Sequence, residues 1–134
     1  MLKILNIFMA AMLLFVIGCA AIPTGVDPIE FRLREAELNL NTVEAVLPAA
    51  GYTAADEADL RKMITEGRVL IDQVRVAAVG GFEVDVDAGL NALQLIVDNL
   101  GDDKARRDGN RIIATLRLAN QLIENNRILK EEFQ

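Results

Sequence analysis

The sequence predicts an all-α fold, a small bundle of about four helices behind an apolar N-terminal segment, and three observations predict it. From residue 28 onward, apolar residues recur at alternating spacings of three and four in four stretches, each bounded by Gly, Pro or Asp. The 134-residue chain has no Trp, and after residue 18 its only aromatic side chains are Phe31, Tyr52, Phe82 and Phe133. A core built from Leu, Ile, Val and Ala suits helices packed on helices, whereas a β-sandwich draws on aromatic and β-branched residues with regular turns.

The first helix is expected to start at Pro28. Asp27 is placed to cap it, Pro28 occupies the first helical position, and Glu30 stands three residues after the cap. Its stripe is Ile29, Leu33, Ala36, Leu40, Val43 and Leu47, and Pro48 with Gly51 ends it. Phe31, Leu38 and Ala45 lie off that stripe; they read as the second edge of a wide buried face, with an exposed apolar strip available for docking as the alternative.

A second helix follows from about Ala54 to about Val79. Thr53 is its cap, Asp56 closes a capping box, and Leu60, Met63, Ile64, Gly67, Leu70, Ile71, Val74 and Ala78 share one face. Gly80-Gly81 stops it, and residues 82–86 read as a loop or short extended piece. The third helix takes Asp85 or Asp87 as cap, presents Leu90, Leu93, Ile96, Val97 and Leu100, and closes at Gly101. The fourth runs from about Asp103 nearly to the end with Ile112, Ile113, Leu116, Ala119 and Ile123 inward; Asn126 falls on this stripe and weakens it.

Residues 66–77 echo residues 108–119, sharing Gly, Ile, Arg and Ala. Two helical hairpins related by duplication would produce this, and so would two amphipathic helices of similar composition. In both cases a mid-helix Gly costs roughly 0.5–1 kcal/mol relative to Ala, so Gly67 and Gly109 are expected at close helix crossings.

The N-terminus has its own chemistry. Lys3 precedes a run that is apolar from Ile4 to Ile17 except for Asn6, with Gly18 next. That matches the cationic and apolar regions of a secretory signal. A spanning helix needs about 20 apolar residues, and Pro23 and Gly25 break this run first. Val16-Ile17-Gly18-Cys19 resembles the lipobox of bacterial lipoproteins. The resemblance covers residues 1–19 alone. It implies cleavage between Gly18 and Cys19, acylation of Cys19 through its sulfur and usually its new amino group, and export to the envelope. Ala20, in place of the Asp that marks inner-membrane retention, implies the outer membrane facing the periplasm in a two-membrane host. More than one acyl chain is what stable anchoring takes. The organisation expected is therefore a signal peptide at 1–18, a lipidated Cys and tether at 19–26, and a helical domain at 27–134.

Composition narrows what that domain does. Lys3 is the one charge among the first eighteen residues, so residues 19–134 carry a formal net charge of −7. Such a balance argues against nucleic acid, whose phosphates are neutralised by Lys and Arg. Without His, and with its one Cys assigned to the anchor, the chain has no zinc-type ligand set, and no cofactor is expected. Counting a calcium loop from Asp85 puts Leu90 where Gly is required and Ile96 where the bidentate Glu is required. Ser and His are both missing, which removes the usual nucleophile and base pair. Glu83, Asp85 and Asp87 are the densest acidic set, with no aromatic cluster beside them to hold a sugar.

Lys104, Arg106, Arg107 and Arg111 form the one basic cluster, interleaved with Asp102, Asp103 and Asp108. The expected arrangement is a solvated face with Asp103–Arg107 or Lys104–Asp108 pairs; a docking patch for an acidic partner or phosphate headgroup is the alternative. The function expected is a non-catalytic protein-interaction or adaptor module held at the membrane, with an envelope protein as partner. The alternative is a carrier that holds an apolar small molecule or lipid between its helices. A large dry cavity would favour the carrier, and a filled core with exposed apolar side chains the adaptor.

Overall fold

A computed structural model describes residues 24–81 and 83–132, with side chains through Asn125. Its four helices are α1 (Pro28–Val46), extended by a 3-10 turn at Leu47–Ala49, then α2 (Ala54–Gly80), α3 (Val86–Asp98) and α4 (Asp103–Glu132). No strand occurs among the described residues, so the all-α bundle is the fold. Each helix packs on the next, α4 closes the ring against α1, and α2 meets α4 across the middle.

Local chemistry sets the ends. The Asp27 carboxylate accepts the Ile29 N–H at 2.9 Å, and Thr53 Oγ1 accepts that of Asp56 at 3.2 Å. Neither capping box closes from its acidic side. Glu30 turns to Arg34 at 3.1 Å and Arg75 at 2.9 Å, and Asp56 reaches a different loop altogether. Asp85, rather than Asp87, caps α3 through the Ala88 N–H at 2.9 Å. Gly81, at φ 73°, ends α2 in the left-handed region that favours Gly. The third helix stops at Asp98, short of Gly101, because the Asn99 and Leu100 N–H groups turn back to Ile96 and Val97 carbonyls at 3.1 and 3.0 Å.

The predicted stripes form one core. Leu33 and Leu40 of α1 and Leu47 of the 3-10 turn are buried with Leu60, Met63 and Ile64 of α2, Leu90, Leu93 and Val97 of α3, and Ile112, Ile113 and Leu116 of α4. One register shift appears at the end of α2, where Ala77 is buried and Ala78, expected inside, is exposed. On α1 the outcome is an exposed apolar strip in place of a second buried edge. Leu38 is 56% exposed, Ala45 is exposed and Phe31 is only half-buried. They project from the far side of the helix because α2 and α4 flank the main stripe, and the flanking buried positions hold Arg32 and Asn39 instead.

The two mid-helix glycines do sit at crossings. A Cβ on Gly67 would lie 3.2 Å from Leu40 Cδ1 of α1 and 3.4 Å from Leu116 Cδ1 of α4. One on Gly109 would lie 2.8 Å from Val97 Cγ2 of α3 and 3.3 Å from Met63 Sδ of α2. Each glycine thus meets the helix preceding it and the helix across the middle. Gly109→Ala is expected to destabilise the bundle by about 1 kcal/mol: the roughly 1–3 kcal/mol of overpacking against β-branched Val97 exceeds the ~1 kcal/mol gained in helix propensity. Gly67→Ala, facing the flexible end of Leu40, is expected near neutral, and urea denaturation of the two variants checks the contrast.

Candidate functional site

Chemistry-bearing side chains gather at the end of the bundle where the α1–α2 connection meets the α3–α4 loop. Tyr52 donates its phenol proton to Asp108 Oδ2 in a short hydrogen bond. Arg111 Nη1 holds the other carboxylate oxygen at 3.1 Å. Lys104 Nζ donates to the Ala50 carbonyl at 2.7 Å and stands 5.3 Å from the centre of the Tyr52 ring, within cation–π range. Burial, with the Asp108 carboxylate beside it, pushes the Tyr52 phenol well above its ordinary pKa. A phenol held protonated in this way is a fastener and a poor general acid.

Beneath it, Asp56 is 4% exposed and accepts the backbone N–H groups of Gly101 at 2.9 Å and Asp102 at 3.1 Å. One carboxylate at the start of α2 therefore holds the loop that turns α3 into α4. Arg106 Nη1 adds a bond to the Leu100 carbonyl at 3.2 Å and pairs with Asp103.

This geometry revises the reading of the basic cluster. Neither expected pair forms: Asp103 takes Arg106 one turn away instead of Arg107, and Lys104 leaves Asp108 to Tyr52 and Arg111 because the Ala50 carbonyl and the Tyr52 ring come within its reach. Lys104, Arg106 and Arg111 are engaged in intramolecular bonds, and Arg107 and Arg111 are both exposed to solvent. The Asp103 carboxyl is held below its usual pKa range by the hydrogen bond from Arg106, with Arg107 a lesser contributor. The surface pairs Glu30–Arg34 and Glu57–Arg61 form at 3.1 and 3.7 Å.

The α1–α2 seam is ionic. Arg75 bridges Glu30 at 2.9 Å, Glu37 at 3.0 Å and Asp72 at 2.8 Å, and Arg68 bridges Glu44 at 2.8 Å and Asn41 at 2.6 Å. The Arg75 hydrogen bond draws the Glu30 pKa down, and Arg68 does the same to Glu44. Nothing in the spacing of α1 marked Arg32 and Asn39 for burial. Arg32 pairs with Glu35 at 2.8 Å, but its Nε and the Asn39 Oδ1 have no partner among the described residues.

At the opposite end lies an apolar cleft of about 230 Å³. Ile29 of α1, Val74 and Ala77 of α2, Val84 and Val86 before and in α3, and Ile123 of α4 make its apolar lining, and Glu83, Asn120 and Glu124 add polar groups to it. It exists because α3 begins only at Val86, leaving the end of α2 and the second half of α4 without a helix between them. A separate space of about 20 Å³, bounded by Leu33, Ile71 and Leu116, shares Val74, Val86 and Ile123 with the cleft. Ile29, Val74 and Ile123 were on the predicted stripes, whereas Val84 and Val86 come from the segment read as a loop or short extended piece and Ala77 from the register shift at the end of α2; the cleft itself follows from the relative lengths of the helices, which spacing alone does not fix.

Among the described residues no group of three or more His, Cys, Asp or Glu side chains could hold a metal ion, and no helix is long and apolar enough to cross a membrane. Gly18, Cys19 and the whole apolar leader lie outside the described residues, as do the side chain of Asn126 and all of Phe82. Comparison with known proteins gave no match: no family model, no curated protein and no solved structure is similar enough to the chain to carry an inference.

Proposed function

We propose that this chain is an envelope lipoprotein, anchored through acyl chains on Cys19, whose four-helix domain acts as a non-catalytic docking module for another envelope protein. The observation that carries the reading is the filled interior. Core side chains pack together from Leu33 to Ile123, and a neighbouring space that shares Val74, Val86 and Ile123 with the cleft holds only about 20 Å³. Sites that enclose small molecules commonly offer about 300–1,000 Å³, more than the 230 Å³ cleft provides. Apolar side chains are instead presented outward, with Leu38 on α1, Val69 on α2, Leu95 on α3 and Leu118 on α4. Holding such a domain at a membrane raises its effective concentration toward partners in the same envelope. Lys104, Arg106 and Arg111 make intramolecular bonds, while Arg107 and Arg111 both remain exposed on the outer face of α4.

Crosslinking in intact cells, followed by mass spectrometry of the proteins and lipids recovered, tests this. One envelope protein recovered near stoichiometry is the expected result. Bound lipid without a protein partner would replace the docking module with the carrier.

A further inference from the structure

We infer that the cleft-bearing end of the bundle seats on the surface of the bilayer that carries the anchor, an inference that rests on the lipidated-Cys19 reading. Val79 is 88% exposed, Val76 60% and Val26 41%. All three belong to one end of the molecule: the Glu30–Arg75 contact fixes the antiparallel register of α1 and α2, which puts Val26 at the level of Val79. The cleft lies at that same end, its apolar side chains accompanied by Glu83, Asn120 and Glu124.

The chain itself says what faces this surface. Cys19 precedes Val26 by seven residues, so at most about 25 Å of extended chain separates an acylated Cys19 from the exposed valines. The opposite end stands farther off by the length of α2, 27 residues or about 40 Å. A bundle on so short a tether keeps its valine end nearest the bilayer. Asp27, Glu83, Asp85 and Asp87 share that end and would be repelled by anionic lipid, so the surface it fits is one of neutral, zwitterionic headgroups.

The test uses the full mature protein with its acyl chains, in phosphatidylcholine vesicles. Its one Cys is consumed in the thioether, so a nitroxide can be placed at a single introduced thiol, Val79→Cys or Ala58→Cys, both exposed sites on α2. The expected result is a several-fold higher ratio of oxygen to nickel-chelate accessibility at 79 than at 58. Val76→Glu, read from the label at 79, is expected to lower the seated fraction about tenfold. Equal ratios at 79 and 58 in protein that floats with the vesicles would overturn the seat and leave the lipoprotein reading standing. Shielding at 79 that fades as protein is diluted into lipid would also overturn it, in favour of a second copy of the chain. Mass spectrometry showing an unmodified Cys19 would remove the anchor and the seat together.

Discussion

Asp56→Ala is expected to lower the stability of the bundle by about 3 kcal/mol, because hydrogen bonds to a charged group contribute roughly 1.5–3 kcal/mol each and this carboxylate accepts two. Its partners are the backbone N–H groups of Gly101 and Asp102, forty-five and forty-six residues away. Those two residues are exposed, so water can take over their N–H groups once the carboxylate is gone, and that keeps the loss below the full sum. Asp56→Asn separates geometry from charge. Its amide keeps one acceptor oxygen but turns a donor toward the second N–H, so about half the loss is expected to remain. Urea denaturation of the soluble domain reads both variants. A lower midpoint with an unchanged slope is the expected result, and a loss under about 0.5 kcal/mol, as for an ordinary surface site, would show that the loop is held by other bonds.

That residue also shows where reading the sequence stops. Thr53 and Asp56 have the spacing of a capping box, and half of it is real: Thr53 caps the helix. The other half depends on where the α3–α4 loop lies, which no local pattern encodes. The same division runs through the molecule. The apolar stripes, the starts at Pro28, Ala54 and Asp103, the Gly81 stop and the crossings at Gly67 and Gly109 all follow from helical period and backbone chemistry within a few residues. Gly89 was missed as a crossing, although a Cβ there would come 2.9 Å from Leu70 Cδ1, because it lies in the first turn of α3, where a Gly signals little. The partners of Lys104 and Asp108 were misassigned for a related reason. Spacing proposed neighbours on α4, whereas bundle closure brought the Ala50 carbonyl and Tyr52 from more than fifty residues away. The buried Arg32 and Asn39 belong to this class too, since their burial is decided by which edge of α1 the neighbouring helices cover.

Tyr52→Phe is expected to cost about 2 kcal/mol near neutral pH, the worth of a phenol bond to a charged carboxylate, and the loss should depend on pH in a defined direction. Burial and the Asp108 carboxylate raise the folded-state phenol pKa far above its unfolded value, which is about 10. A group shifted upward contributes its full stability below the unfolded pKa and loses it as pH rises toward the folded one. The unfolded chain releases this proton first, so above about pH 10 the wild-type protein should lose stability by up to ~1.4 kcal/mol per pH unit from this group. Tyr52→Phe lacks the group and should lack that slope, so the gap between the two proteins narrows as pH rises. Tyr52 is the only Tyr and there is no Trp, so phenolate absorbance reports this residue alone. It should stay silent in the folded protein past pH 10 and rise together with the loss of helical circular dichroism. A phenolate forming at ordinary pH while the helices persist would mean that Tyr52 and Asp108 are not joined in solution. The α1–α2 connection would then be tied to α4 by the Lys104 bond to Ala50 without help from the phenol.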